Sequence, residues 1–200
     1  MSSTLRTSDD LVVWEKVVVD GFETDWFISK CGMLKNARGK LLANYKNPQG
    51  YIVNRKKIRG KDTTLRRHRL VAQAFLTNPR PDIFDIVDHI DRNRANNHYT
   101  NLRYVDHQLN ALNQKSYHCV PREGFEHPYL AQITFNEVRY WLWDCDTAKE
   151  AMNINDRTRR SLFEALYFYR TRPNTFLDPS VEDNWTFTPG TVRVRPSFKE

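Results

Sequence analysis

The sequence predicts an α+β fold built from small modules. An N-terminal β-rich module (residues 11–62) precedes a central strand–loop–strand–helix core (63–117), and a C-terminal strand–strand–helix module with an extended tail follows (122–200). Three observations carry this reading. Short β-branched and aromatic runs alternate with turn pairs near the N-terminus. A loop dense in Asp, Asn and His interrupts two short apolar runs in the middle. Two alternating runs then lead into a helical pattern.

Taken in order, the first ten residues are polar and small and are expected to fray. From Leu11, short β-rich runs are separated by Asp20-Gly21 and by Cys31-Gly32, a pattern of small strands joined by tight turns. Trp14, Phe22, Trp26 and Ile28 are expected to form a mini-core. Asn47-Pro48-Gln49-Gly50 reads as a turn before the strand-like Tyr51-Ile52-Val53. Residues 65–76 place Leu70, Val71, Ala74 and Phe75 at helical spacing, and the helix should stop by Asn78, ahead of Pro79 and Pro81. Val87–Ile90 and Leu102–Val105 read as two strands around a turn-rich loop, with Asp106 opening a helix that turns Leu109 and Leu112 inward. Residues 129–135 and 138–143 alternate as two antiparallel strands joined through Asn136-Glu137. Two helices are expected after them, one over 147–152 and one from about 155 to before Pro173. Tyr140, Trp141 and Trp143 are read as core packing rather than as a stacking surface for RNA. The tail from Thr175 is expected to be extended.

The 200-residue chain carries a net charge of +7 and a pI near 9.4, a balance that favours a polyanionic partner. The charge is clustered. Arg55, Lys56, Lys57, Arg59, Lys61, Arg66, Arg67 and Arg69 are opposed only by Asp62 across that interval, so they are the candidate phosphate contacts. Three cysteines without a C-x-x-C pair argue against a disulfide framework and against a structural zinc site. No apolar run approaches the roughly 18 residues needed to span a bilayer, and no signal-peptide core is present. These features predict an intracellular, cytoplasmic protein with nucleic acid as the most common kind of partner and no membrane. A monomer is compatible with the sequence, which leaves oligomeric state open.

The chemistry concentrates in residues 87–113, V-D-H-I-D-R-N-R-A-N-N-H-Y-T-N-L-R-Y-V-D-H-Q-L-N-A-L-N. Hydrolysis of a phosphodiester needs an activated water, neutralisation of developing charge and help for the leaving oxygen. One divalent ion and one histidine supply all three. His89 is the candidate general base, because an imidazole titrates near neutrality. Asp88 and Asn110 offer hard oxygen donors suited to Mg²⁺ or Mn²⁺. Asn101 is placed to hydrogen-bond across the loop and hold His89 in orientation. Neighbouring residues of a regular strand point to opposite faces, so Asp88 and His89 should lie where the strand breaks. His68 and His98 are accessory candidates, His68 chiefly for packing or a phosphate contact. Asp91, Asn96, Asn97 and Asn113 read as turn, loop and helix-packing residues.

The ordered string D-H-I-D-x-N-x-x-N-N-x-x-x-N-L-R-x-V-x-x-x-x-N-x-x-N resembles the ββα-metal core of the HNH homing endonucleases of phages and introns. The preceding H-R-L-V-A-Q-A-F-L (68–76) is similar to the segment ahead of that core, and residues 14–36 are similar to a small nuclease-associated module. The resemblance implies Asp88 and Asn110 as metal ligands, His89 as general base and Asn101 as the central asparagine. It implies one divalent ion, double-stranded DNA cut or nicked at a long site, and a phage or mobile-element setting. Residues 129–152, with A-K-E-A-M, resemble the three-stranded DNA-binding domain of plant ethylene-response factors. The rival reading is a DNA-binding protein that keeps the scaffold without activity; intact Asp88 and His89 argue against it.

Overall fold

The protein is described here from a computed structural model, over residues 12–114, 119–135 and 137–171. The expected fraying of residues 1–10, Asn136 of the second hairpin turn and the tail from Thr175 lie outside the described residues. Packing divides the chain into two compact units, 1–106 and 107–200.

The first unit opens with a three-stranded antiparallel sheet, β1 (Trp14–Val19), β2 (Phe22–Ser29) and β3 (Leu34–Asn36). The β1–β2 turn is Asp20-Gly21, both at positive φ (50° and 79°), the backbone that matches the twist of a tight hairpin. A second three-stranded sheet is formed by β4 (Tyr45–Lys46), β5 (Ile52–Ile58) and β6 (Lys61–Arg66), in the order β4-β5-β6. Strand β6 is an element that the basic run conceals. In K-D-T-T-L-R only Leu65 is buried, so no hydrophobic alternation announces the strand. Helix α1 (Arg67–Phe75) follows directly and ends before Asn78-Pro79, as its spacing predicts. Strands β7 (Ile86–His89) and β8 (Leu102–Val105) then pair antiparallel, with a single 3-10 turn at Tyr99–Asn101 leading into β8.

One core cluster joins these pieces: Val17, Ile28 and Leu34 from the first sheet, Leu65 from β6, Leu70 and Val71 from α1, and Leu102 from β8. An isolated two-stranded hairpin such as β7–β8 is marginal by itself, and here Leu102 of β8 packs into the same interior as residues of 11–62. The expected mini-core is only partly realised. Ile28 is fully buried and Trp26 packs against the cluster, but Phe22 remains 41% exposed on the hairpin, with the Arg59 guanidinium 4.0 Å from its ring centre.

The second unit contains α2 (His107–Leu112), the hairpin β9 (Tyr129–Phe135) and β10 (Val138–Cys145), and α3 (Ala148–Thr171). Ala131, Ile133, Phe135 and Leu142 face inward from the hairpin, while Ala151, Leu162, Phe163 and Leu166 are buried on α3. Where two helices are expected, one 24-residue helix forms. Asn153 and Asn155 are weak helix formers, yet the buried stripe Ala151, Asn155, Thr158, Leu162, Leu166, Arg170 runs unbroken through them. Tertiary burial overrides local propensity. The core-packing expectation for the hairpin tryptophans is corrected: Trp141 and Trp143 stand 47% and 42% exposed, and Leu142 between them points inward. Among the described residues this sheet has two strands, not the three of the ethylene-response-factor resemblance. No described helix is long and apolar enough to cross a membrane.

Candidate active site

Strand β7 ends at His89, and Arg92 N–H donates to the His89 carbonyl (2.9 Å) to begin the turn, with Arg92 at φ 62°. The strand therefore stops at the residue where the sequence required a break. The pair itself still follows regular register, Asp88 opposite Arg103 and His89 opposite Leu102. Asp88 is buried, and its Oδ2 accepts from Arg103 Nε at 3.0 Å. That guanidinium offsets the cost of burying the carboxylate.

His89 is 4% exposed and lies in an aromatic corner. Its ring centre is 4.9 Å from that of His68 on α1 and 6.0 Å from that of Tyr51 at the head of β5; the His68 and Tyr51 rings are 4.9 Å apart. Burial lowers the His89 pKa, against the opposing effect of its hydrogen bond to Asn97. That bond joins His89 Nε2 to Asn97 Oδ1 at 3.2 Å. Asn97 Nδ2 donates to the Ala95 carbonyl, which turns Oδ1 toward the imidazole. By this hydrogen-bond network Nε2 carries the proton and the basic lone pair is on Nδ1.

Asn97 is thus the residue that touches His89, whereas the spacing points to Asn101. Asn101 instead braces the loop: its Nδ2 donates to Asp91 Oδ1 and the Asn96 carbonyl (both 2.9 Å), and its Oδ1 accepts from Asp91 N–H. Asn93 N–H and Asn96 Nδ2 also donate to Asp91, and the set fixes the loop that carries Asn97. Asn101 acts on His89 through that loop. No signal in the sequence separates Asn97 from its neighbour Asn96; only the closed loop does.

The N-terminal sheet also reaches this loop. A Cβ on Gly32 would lie 2.8 Å from Asn97 Cβ, and Gly32 sits at φ 80°. Only glycine allows that approach without displacing Asn97. The Gly32 carbonyl accepts from Arg67 Nη1 (3.0 Å), and Tyr99 N–H donates to the Lys30 carbonyl (2.8 Å).

The basic candidates separate by burial. Arg55, Lys57, Arg59, Lys61, Arg66 and Arg69 are exposed. Register puts Arg55 opposite Thr64, Lys57 opposite Asp62 and Arg66 opposite Val53, so Arg55, Lys57 and Arg66 share one outer face of the β5–β6 hairpin. Lys56 belongs to the other face, ion-paired with Asp25 and with its Nζ 4.5 Å from the Trp26 ring centre. Arg67 is corrected outright: it is 2% exposed and cannot reach DNA phosphate. Its guanidinium donates to Asn54 Oδ1, Asn44 Oδ1 and the carbonyls of Gly32, Leu42 and Ala43 at 2.6–3.0 Å. Burial pulls its pKa to about 10, so it stays protonated at neutral pH.

The two accessory histidines differ in burial. His98 is exposed and caps the 3-10 turn, its Nδ1 2.7 Å from Thr100 Oγ1. His68 is 3% exposed, and its Nδ1 finds no hydrogen-bond partner in the protein. Burial, reinforced by His89, Arg69 and Arg66, drives its pKa to about 3. A histidine held neutral in the folded state leaves stability intact above its unfolded pKa, near 6.5. It then costs about 1.4 kcal/mol for each pH unit below that, until the folded pKa is reached. His68→Phe should therefore flatten the acid-side loss of stability between pH 6 and pH 4, read by urea unfolding or by hydrogen exchange of the α1 amides. An unchanged slope would mean His68 is solvated in the native state.

Asn110, the remaining candidate, lies half-buried on α2, in the second unit. Leu109 and Leu112 anchor that helix, and Arg170 Nη2 on α3 donates to Gln108 Oε1 at 2.6 Å.

No protein-family model matches the chain. Three curated relatives do. Two uncharacterized HNH endonucleases of Acanthamoeba polyphaga mimivirus are 31% and 29% identical over 99 and 104 residues. DNA endonuclease I-HmuI of Bacillus phage SP01 is 34% identical over 99 residues. Over about half of its length the chain is similar to HNH endonucleases. The HNH likeness covers 49–52% of this chain. The aligned stretch spans 28% and 26% of the length of the two viral relatives and 56% of I-HmuI. Among solved structures, one of DNA binding and cleavage by the HNH homing endonuclease I-HmuI aligns at a TM-score of 0.46 and 24% identity. That alignment covers 81% of this chain and 94% of the other.

Proposed function

We propose that this chain is a divalent-metal-dependent endonuclease that hydrolyses phosphodiester bonds in double-stranded DNA, nicking or cleaving at a long site. The observation that supports the reading best is the environment of His89: a buried imidazole at a strand end, its Nε2 hydrogen-bonded to Asn97 and its ring beside Tyr51 and His68. Asn97 orients the ring and Asn101 holds the loop that presents Asn97. His89 Nδ1 then takes the proton from the attacking water.

Asp88 and Asn110 are the residues that would hold the ion. Both offer hard oxygens of the kind Mg²⁺ prefers. The described residues contain no cluster of three or more His, Cys, Asp or Glu. One carboxylate and one amide do not make a complete cage, a donor set that suits Mg²⁺, which keeps several waters and shares substrate phosphates. When bound, the ion would polarise the phosphate and neutralise charge on the leaving oxygen. The exposed face of Arg55, Lys57 and Arg66 suits the duplex backbone. The exposed Trp141 and Trp143 supply a second candidate surface.

The test is nicking of supercoiled plasmid. With Mg²⁺ or Mn²⁺ the relaxed form should accumulate, and EDTA should stop it. A chain that binds DNA without relaxing plasmid under either metal would be the inactive DNA-binding protein instead.

A further inference from the structure

A positively charged pair outside the expected catalytic set flanks the same aromatic corner. Arg94, in the loop between β7 and β8, lies with its guanidinium 4.9 Å from the ring centre of Tyr51, and Arg66 reaches the same ring at 5.9 Å. Tyr51 in turn packs 6.0 Å from His89, ring centre to ring centre. The two arginines come from different elements. Arg66 is the N-cap residue of α1, with no side-chain cap and no acidic residue in the first helical turn. Arg94 belongs to the turn-rich loop and is anchored by Nη1 donating to the Gln49 carbonyl at 2.8 Å.

Among the described residues neither Arg66 nor Arg94 has a carboxylate partner, and both are exposed. Two other arginines near the site are already engaged, Arg103 by Asp88 and the buried Arg67 by five acceptors. Two unneutralised guanidinium groups held on one ring, beside a helix N-terminus that lacks an acid, make a place of positive potential with no internal anion. Planar guanidinium groups with spare N–H donors are suited to phosphate oxygens.

We propose that Arg94 and Arg66, steadied on the Tyr51 ring, form a phosphate clamp that seats the DNA backbone beside His89. Arg94 is the new member of the site. It is a substrate-positioning residue, and Tyr51 is the platform that fixes where its guanidinium sits. The clamp deepens the nuclease reading above and rests on it for the identity of the seated strand. A substrate held here would have its phosphate chain fixed on the side of the imidazole that carries the Tyr51 contact. Loss of the clamp should then weaken binding and misplace the bond to be cut.

The test uses the full chain with Arg94→Ala, Arg94→Lys and Tyr51→Leu. Binding to a duplex oligonucleotide in EDTA is measured from 50 to 200 mM salt, and plasmid nicking is measured with Mg²⁺. Each phosphate contact contributes about 0.9 to the slope of log affinity against log salt. Arg94→Ala should lower that slope by roughly one contact, and Arg94→Lys should restore it, because the charge is kept. In nicking, both Arg94→Lys and Tyr51→Leu should remain below wild type at saturating DNA, because each loses the stacked geometry. A packing role alone would not move the salt slope. An unchanged slope in Arg94→Ala overturns the clamp, even where wild type nicks plasmid. A reduced slope in a chain that never nicks keeps the clamp and removes the nuclease reading.

Discussion

His89→Ala is expected to reduce plasmid nicking by about 10²- to 10⁴-fold, the contribution typical of a positioned general base, while affinity for duplex DNA in EDTA stays within a few-fold of wild type. The two readouts separate because His89 is 4% exposed and faces His68, Tyr51 and Asn97. In the proposed reaction it contributes a lone pair, and its burial leaves it little surface to offer the backbone of a duplex. Asn97→Ala should reproduce part of the loss, since it frees the ring to rotate and to exchange the proton between its nitrogens. Asn97→Asp offers an informative contrast. It keeps an acceptor at Nε2 but places a negative charge there, which favours the imidazolium and should shift activity toward higher pH. Nicking by His89→Ala at the wild-type rate would remove the assigned base.

The second large effect is on stability. Arg67→Met should destabilise the first unit by about 3–5 kcal/mol, because it strips donors from five acceptors at once, those on Asn54 and Gly32 buried. That is a large fraction of the roughly 5–15 kcal/mol typical of a domain. The acceptors that lose an Arg67 donor are Asn54 Oδ1 on β5, Asn44 Oδ1, and the carbonyls of Gly32, Leu42 and Ala43, the last of which keeps its bond from Asn54 Nδ2. Arg67 therefore ties β5, the segment after β3 and the β2–β3 turn to the first residue of α1. Arg67→Lys should fare little better, since an ammonium cannot present a planar fork of five donors. Urea unfolding, or hydrogen exchange of amides in β2, β5 and α1, would measure the loss. If Arg67 were a phosphate contact instead, the variants would lose salt-dependent DNA affinity at unchanged stability.

Gly32 connects the two effects. Its carbonyl takes a bond from Arg67, and its missing Cβ allows Asn97 to close against it. Loosening Arg67 is thus also a route to disordering the acceptor that orients His89. Activity near the unfolding midpoint of Arg67 variants should fall before global unfolding is complete.

Much of the site was legible in residue order. The string from Val87 to Asn113 contains its chemistry locally: two short apolar runs paired as a hairpin, turn formers between them, and Asp88 and His89 at the strand end. Such features depend on neighbours within a dozen residues, and periodicity and turn chemistry report them well. The stop of α1 before Pro79 and the hairpin turn at Asp20-Gly21 are of the same kind.

What the order of residues left undecided depends on long-range burial. Whether an arginine in a basic run meets solvent or an interior is not encoded in the run. Arg66 and Arg67 are adjacent, yet one is exposed beside Tyr51 and the other is buried under five acceptors from distant segments. Asn97 and Asn101 differ in role because loop closure brings one amide to the imidazole and the other to Asp91. The single α3 helix exists because its buried stripe continues past two asparagines whose local preference is to stop. The sequence by itself determined the class of fold, the polar loop and the placing of Asp88 and His89 at the end of a short strand. Only the tertiary structure decided which amide touches His89, which cations are exposed and which are spent on the core. The physical reason is that the local rules act through backbone preference over a few residues, whereas those later choices are set by which distant groups exclude water from one another.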